Sequence, residues 1–159
     1  MTKPQRKQLR LPTYDYGKNG LYFITICIQN RKCLLGQIED HVSIKSDAGK
    51  MIKETWHKIP TYNRGVNLHE FTLMPNHIHG IIELYDSSVS IPNIIQTFKS
   101  ITTHKYINGV HDHNWKTFDK KLWQRNYYEH IIRNEESLNT IQNYIINNPH
   151  NWENDTLHT

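Results

Sequence analysis

A chain of 159 residues suits one compact domain of ordinary size and leaves little room for a second. With 36% apolar and 21% charged residues there is material for a core beneath a well-solvated surface, so a folded, soluble protein is expected and a disordered one excluded. The net charge of +4 and the isoelectric point near 9.0 favour an anionic partner without naming it.

Residues 1–20 are polar and basic, contain Pro4 and Pro12, and close on the turn signal Gly17-Lys18-Asn19-Gly20. They read as a basic N-terminal arm ahead of one domain over 21–150, with 151–159 as a C-terminal tail. No apolar run follows the basic start, so neither a signal peptide nor a membrane anchor is expected there, and no stretch reaches the length of a membrane span. A cytoplasmic location is the default expectation. Cys27 and Cys33 lack the spacing of a zinc knuckle or a redox pair and read as reduced, structural thiols.

Leu21 to Gln29 is rich in β-branched and aromatic residues, with Tyr22, Ile24, Ile26 and Ile28 on one side and Phe23, Thr25 and Cys27 on the other. Apolar residues on both sides predict a central strand. Asp47 is placed to cap a helix running to about Ile59, with Met51, Ile52, Thr55, Trp56 and Ile59 as its apolar stripe and Pro60 as its stop. Asn67 to Leu73 reads as a second strand, Met74-Pro75-Asn76 as a break, and His77 to Leu84 as a third strand in hairpin relation to the second. Ile91 to Tyr106 carries Ile94, Ile95, Phe98, Ile101 and Thr102 at helical spacing, and a polar loop rich in His and Asp follows. Leu122 to Ile132 gives a fourth strand or an extended entry, and Glu135 to about Asn148 a last helix ended by Pro149. Strand, helix, strand, strand, helix, strand is the order of a ferredoxin-like split βαβ sandwich: an α+β fold with an antiparallel sheet, helices on one face, and one helix added at the C-terminus.

On a strand, side chains alternate, so His77 and His79 project from one face while Ile78 points to the other. Two imidazoles converging on one point make a partial metal site that needs at least one further donor. In a chain with 11 histidines such a triplet arises easily, and its weight depends on what accompanies it. Tyr144 and Asn148 are four residues apart on the predicted last helix and therefore share a face, beside the apolar stripe of Leu138, Ile141 and Ile145.

Four segments extend the pattern over nearly the whole chain: Phe71-Thr-Leu-Met-Pro-Asn-His-Ile-His-Gly-Ile-Ile, Phe98-Lys-Ser-Ile-Thr-Thr, Leu122-Trp-Gln-Arg-Asn-Tyr-Tyr-Glu-His-Ile-Ile-Arg-Asn-Glu and Tyr144-Ile-Ile-Asn-Asn-Pro. In this order they resemble the REP-associated tyrosine transposases, within the histidine-hydrophobic-histidine (HUH) endonucleases. The resemblance implies that His77 and His79 bind a divalent metal, Mg²⁺ or Mn²⁺, that Asn148 is a third ligand through its side-chain oxygen, and that Tyr144 is the nucleophile. It further implies attack on single-stranded DNA, folded as palindromic hairpins, through a 5′-phosphotyrosine that a 3′-hydroxyl can reverse. From the sequence itself, which offers no partner recombinase or zinc module, the protein is expected to act alone or as a homo-oligomer such as a homodimer. The chemistry is coherent, because a tyrosine with pKa near 10 is a weak nucleophile that needs a polarised phosphate.

Around this centre, His130 reads as a fourth ligand or as a partner holding Glu129, with an ordinary sheet histidine as the alternative. Lys99, Lys105, Arg125 and Arg133 are candidate phosphate contacts, and Trp115, Trp123, Tyr127 and Tyr128 candidate platforms for unpaired bases. A rival reading is a non-catalytic nucleic-acid-binding module of the same fold, although the expected aromatic pair on two central strands is not obvious. Another is a small metallohydrolase in which a metal activates water.

Overall fold

The structure, a computed structural model, describes residues 19–86 and 88–158, so the expected basic arm lies outside the described residues except for its last two positions. Strand β1 (Gly20–Cys27) is followed by a hairpin of β2 (Gly36–Glu39) and β3 (Val42–Lys45), helix α1 (Asp47–His57) and a short helix α2 (Ile59–Tyr62). Then come β4 (Val66–Met74), β5 (His77–Leu84), the long α3 (Ile91–His113), β6 (Tyr128–Ile132) and α4 (Glu135–Ile146). The main sheet has the order β4-β5-β1-β6 with every pairing antiparallel. Without the β2-β3 hairpin and α2, this is the split βαβ arrangement expected from the order of elements.

Register assigns each side chain to a face. Ile26 of β1 lies opposite Ile78, and Ile24 opposite Gly80. With Tyr22, Ile82 and Leu84 they form the face covered by Ile52 and Trp56 of α1 and by Ile94, Ile95 and Phe98 of α3. Burying the apolar side chains of this layer is the main source of stability. Gly80 is required here, because a Cβ would sit 2.3 Å from the Trp56 ring, whose indole lies across the strand. The opposite face is covered by α4, where Leu138, Ile141 and Ile145 pack on Leu21, Phe23, Ile81 and Ile132. Gln142 of α4 also donates to Glu70 of β4 at 2.9 Å. The sheet is therefore sandwiched, and β1 is buried on both faces as its residues predict.

Several boundaries differ from expectation for identifiable reasons. Ser46, not Asp47, caps α1: its backbone is extended and its Oγ accepts the Gly49 N–H at 3.0 Å, leaving Asp47 as the first helical residue. The helix ends at His57, and Pro60 opens the short α2 in place of closing α1. The polar stretch after Tyr106 is helical to His113, held by the Trp115 ring against Gly109 and ended by Asn114 in the left-handed region. The β2-β3 hairpin was not anticipated, since its four-residue strands carry too little alternation to read.

Candidate active site

The alternation of β5 puts His77 and His79 on the face covered by α4, with Cys27 opposite His77 and Thr25 opposite His79 on β1. Both are buried, at 0% and 3% exposure, and their ring centroids are 4.6 Å apart. Each ring is held by its Nδ1. The Asn76 side chain donates its amide hydrogens to the carbonyls of Leu157 (2.8 Å) and Arg31 (3.3 Å). Its Oδ1 therefore faces His77 Nδ1 at 2.7 Å as an acceptor, which places the proton on that nitrogen and leaves Nε2 as a lone pair. Thr25 Oγ1 holds His79 Nδ1 at 2.7 Å. Such partners fix the ring orientation of an imidazole that ligates a metal. Burial holds His77 down to about 4, against the opposing pull of Asp155 and Asn148, and burial with the neighbouring His77 holds His79 well below its usual value. Both rings are neutral at physiological pH, the form a metal requires.

The end of α4 meets this pair. Asn147 and Asn148 close the helix with N–H bonds to the carbonyls of Asn143 (3.0 Å) and Ile145 (3.2 Å), a tightened last turn that keeps Tyr144 and Asn148 on one side. Asn148 is buried, whereas Tyr144 is 46% exposed with its ring 5.3 Å from that of His79 and 6.2 Å from that of Phe23. Burial and the nearby Asp155 raise the Tyr144 hydroxyl above its ordinary value, while Asn148 lowers it. His77 Nε2, His79 Nε2, Asn148 Oδ1 and Asp155 Oδ2 are all buried and without a hydrogen-bond partner. Unpartnered buried polar atoms are costly, and here all four can act as acceptors with no donor to satisfy them. The ligand atoms of His77, His79 and Asp155 lie within 4.8 Å of one another and could hold a metal ion, so the donor set fits a divalent cation.

Asp155 was not singled out from the sequence, where it falls in the presumed tail. Tyr128, 55% exposed, and His130 share the face of Phe23, consistent with their register opposite Thr25 and Phe23. His130 lines a hollow of about 580 Å³ with Tyr128 and Tyr144, and a second hollow of about 450 Å³ shares the same two tyrosines and reaches His79. Glu129 points to the opposite face, opposite Ile24, and accepts the Tyr127 hydroxyl at 2.8 Å, so it does not reach the histidine pair. Lys99 turns inward and donates to the carbonyls of Gln124 (2.8 Å) and Arg125 (3.1 Å), with the Tyr127 ring 5.8 Å away. Trp123 is buried and donates to Thr102 at 2.8 Å, and Trp115 packs on Tyr106. These side chains serve the core and the 124–127 segment rather than an open surface. Arg125 and Arg133 are exposed and Lys105 is half-buried.

The sequence model of the family described as "Transposase IS200 like" matches residues 19–148, which is most of the chain and includes both histidines, Tyr144 and Asn148. The chain belongs to the IS200-like transposase family. A family relative from Haemophilus influenzae, an uncharacterized protein, is 38% identical over 174 residues, covering 96% of this chain and 93% of its own. A second Haemophilus influenzae protein, described as "Putative REP-associated tyrosine transposase", is 27% identical over 138 residues, 85% of this chain and 73% of that one. The solved structure of the REP-associated tyrosine transposase bound to a REP hairpin superposes with a TM-score of 0.64 at 22% identity, covering 89% of this chain and 73% of that chain, and shares its fold. Among the described residues of this transposase-family chain, no helix is long and apolar enough to cross a membrane.

The buried histidines make a pH prediction for the metal-free protein. Below about 6.5 the unfolded chain takes up protons that the folded site refuses until about 4, so stability is full above that window and falls as pH drops through it. At about 1.4 kcal/mol per pH unit per histidine, His77 alone costs roughly 2 kcal/mol between pH 6.5 and 5. Melting in EDTA should therefore fall by roughly 5 °C or more over that interval. An unchanged melting temperature would show that the pair is not buried in the neutral form.

Proposed function

We propose that this transposase-family protein cleaves and rejoins single-stranded DNA, with Tyr144 as the nucleophile and His77, His79 and Asn148 as ligands of a divalent ion, Mg²⁺ or Mn²⁺. The observation that carries this reading is the position of a half-exposed tyrosine ring 5.3 Å from His79, at the rim of a buried cluster of acceptors that lack donors. An ion bound there would supply polarisation of the scissile phosphate. The remaining work falls to the chain's own groups. Tyr144 is protonated at neutral pH; its proton passes to solvent water as its oxygen bonds to phosphorus, and the leaving 3′-oxygen takes one up from solvent in return. The bond from phosphorus to the 3′-oxygen breaks, leaving a 5′-phosphotyrosine and a free 3′-hydroxyl. A strand carrying a 3′-hydroxyl reverses the step by displacing Tyr144, so no nucleotide cofactor is consumed.

The two hollows lined by Tyr144 and Tyr128 are of ligand-site size and suit the nucleotides that flank the scissile phosphate. Tyr128 is the exposed aromatic available to stack on a base there, and Arg125 and Arg133 are available to phosphates. That a relative is described as bound to a REP hairpin supports palindromic hairpins as the substrate class. The test is incubation with hairpin-bearing single-stranded DNA in Mn²⁺, followed by denaturation and mass spectrometry of the captured adduct. A phosphotyrosine at Tyr144 is expected. Nicking without any covalent adduct would favour metal-activated water, and an adduct at Tyr127 or Tyr128 would move the nucleophile off α4.

A further inference from the structure

We infer that Asp155 is a fourth protein ligand, a carboxylate that completes the metal site from outside the segment matched by the transposase family. The inference rests on the reading that this site holds a divalent ion, and adds to it a donor that the family match, ending at residue 148, does not include.

The side chain of Asp155 is 3% exposed, and its Oδ2 lies 3.7 Å from His77 Nε2. That oxygen has no hydrogen-bond partner, and a buried carboxylate oxygen is seldom left without a cation or a donor, because the desolvated charge is costly. His77 does not supply that partner: Asn76 Oδ1 accepts from its Nδ1, so the proton sits there and Nε2 presents no hydrogen toward the carboxylate. A lone pair on Nε2 thus faces a carboxylate oxygen, with Asn148 Oδ1 and His79 Nε2 as further unpartnered atoms of the same cluster. Mutual repulsion of acceptors at this spacing is relieved by a cation among them. A carboxylate is also the hard, anionic oxygen that Mg²⁺ and Mn²⁺ favour, and it offsets one of the two charges that two imidazoles and an amide leave intact.

Asp155 is fixed in place and does not wander on a loose tail. The chain beyond α4 turns back through a short 3-10 helix, Trp152–Asn154, with Trp152 buried and its ring 6.1 Å from that of His77. Asp155 Oδ1 accepts the Leu157 N–H at 2.8 Å, which leaves Oδ2 to face the histidines. Asn76, which orients His77, also donates to the Leu157 carbonyl, and Arg31 donates to that of Thr156 at 3.4 Å. One side chain therefore sets both a histidine and the segment that carries the carboxylate.

The experiment is titration of the full chain with Mn²⁺ alone, without DNA, followed by calorimetry and by the rise in melting temperature. Asp155→Asn preserves shape and the bond to Leu157, and Tyr144→Phe serves as a neighbouring control that keeps every ligand. Asp155→Asn is expected to weaken Mn²⁺ at least tenfold and to shrink the metal-induced rise in melting temperature, with Tyr144→Phe unchanged. Equal affinity of Asp155→Asn and wild type, with both binding Mn²⁺, overturns the inference and leaves the proposed function intact. Absence of Mn²⁺ binding by wild type overturns both. Should Asp155→Asn melt far below wild type in EDTA, Asp155→Ala titrated at low temperature, where it is folded, gives the same comparison.

Discussion

Tyr144→Phe is expected to abolish covalent capture of DNA and to lower cleavage by roughly 10³-fold or more, because it removes the one atom that bonds to phosphorus. The ring can keep its edge contacts with Phe23 and His79, and the hydroxyl is half exposed, so the fold should be nearly unaffected. Melting within about 2 °C of wild type is expected, since a loss well under 1 kcal/mol moves a chain of this size no further. Asn148→Ala makes the informative companion. It retains the nucleophile but removes a buried oxygen from the acceptor cluster, so its cleavage defect should be partly rescued by raising Mn²⁺, which cannot rescue the Phe variant. Wild-type cleavage by Tyr144→Phe, or equal rescue of both variants, would overturn the assignment of roles.

Replacing His77 and His79 together by Ala should have an effect of similar size on cleavage by a different route. Both imidazoles lie at the centre of the cluster, and without them the remaining oxygens cannot hold an ion in place. Stability gives an independent reading. An ion that binds only the folded chain adds about 2.7 kcal/mol at 100 times its dissociation constant, so wild type should melt several degrees higher with Mn²⁺ than in EDTA. The double variant should show no such rise. Hairpin binding should persist, because phosphate and base contacts elsewhere supply most of the affinity. Undiminished nicking by the double variant would remove the histidine pair from the reaction.

Much of this site is legible before any folding. Strand alternation alone puts His77 and His79 on one side of β5, and a four-residue step alone puts Tyr144 and Asn148 on one side of a helix end. Both follow from local backbone periodicity, as do the order of elements and the doubly buried β1. The sequence segments in their order also suffice to indicate the transposase family, which the family match establishes.

What periodicity cannot carry is which local surfaces meet. That α4 covers the histidine face of the sheet, and not the face of α1 and α3, is decided by Leu138, Ile141 and Ile145 packing on Leu21, Phe23 and Ile81. Thr25 reaches His79 across 54 positions, and Asn76 reaches Leu157 across 81, so neither partner is visible from the neighbourhood of the motif. Trp123 and Lys99 look like surface groups for nucleic acid when read by type, yet packing against α3 and the 124–125 carbonyls turns them inward. Asp155 is one acidic residue in a polar C-terminal stretch until the chain folds back over β5. Local geometry is encoded in neighbouring residues, but the burial that makes a carboxylate or a histidine unusual arises only when distant segments exclude water together.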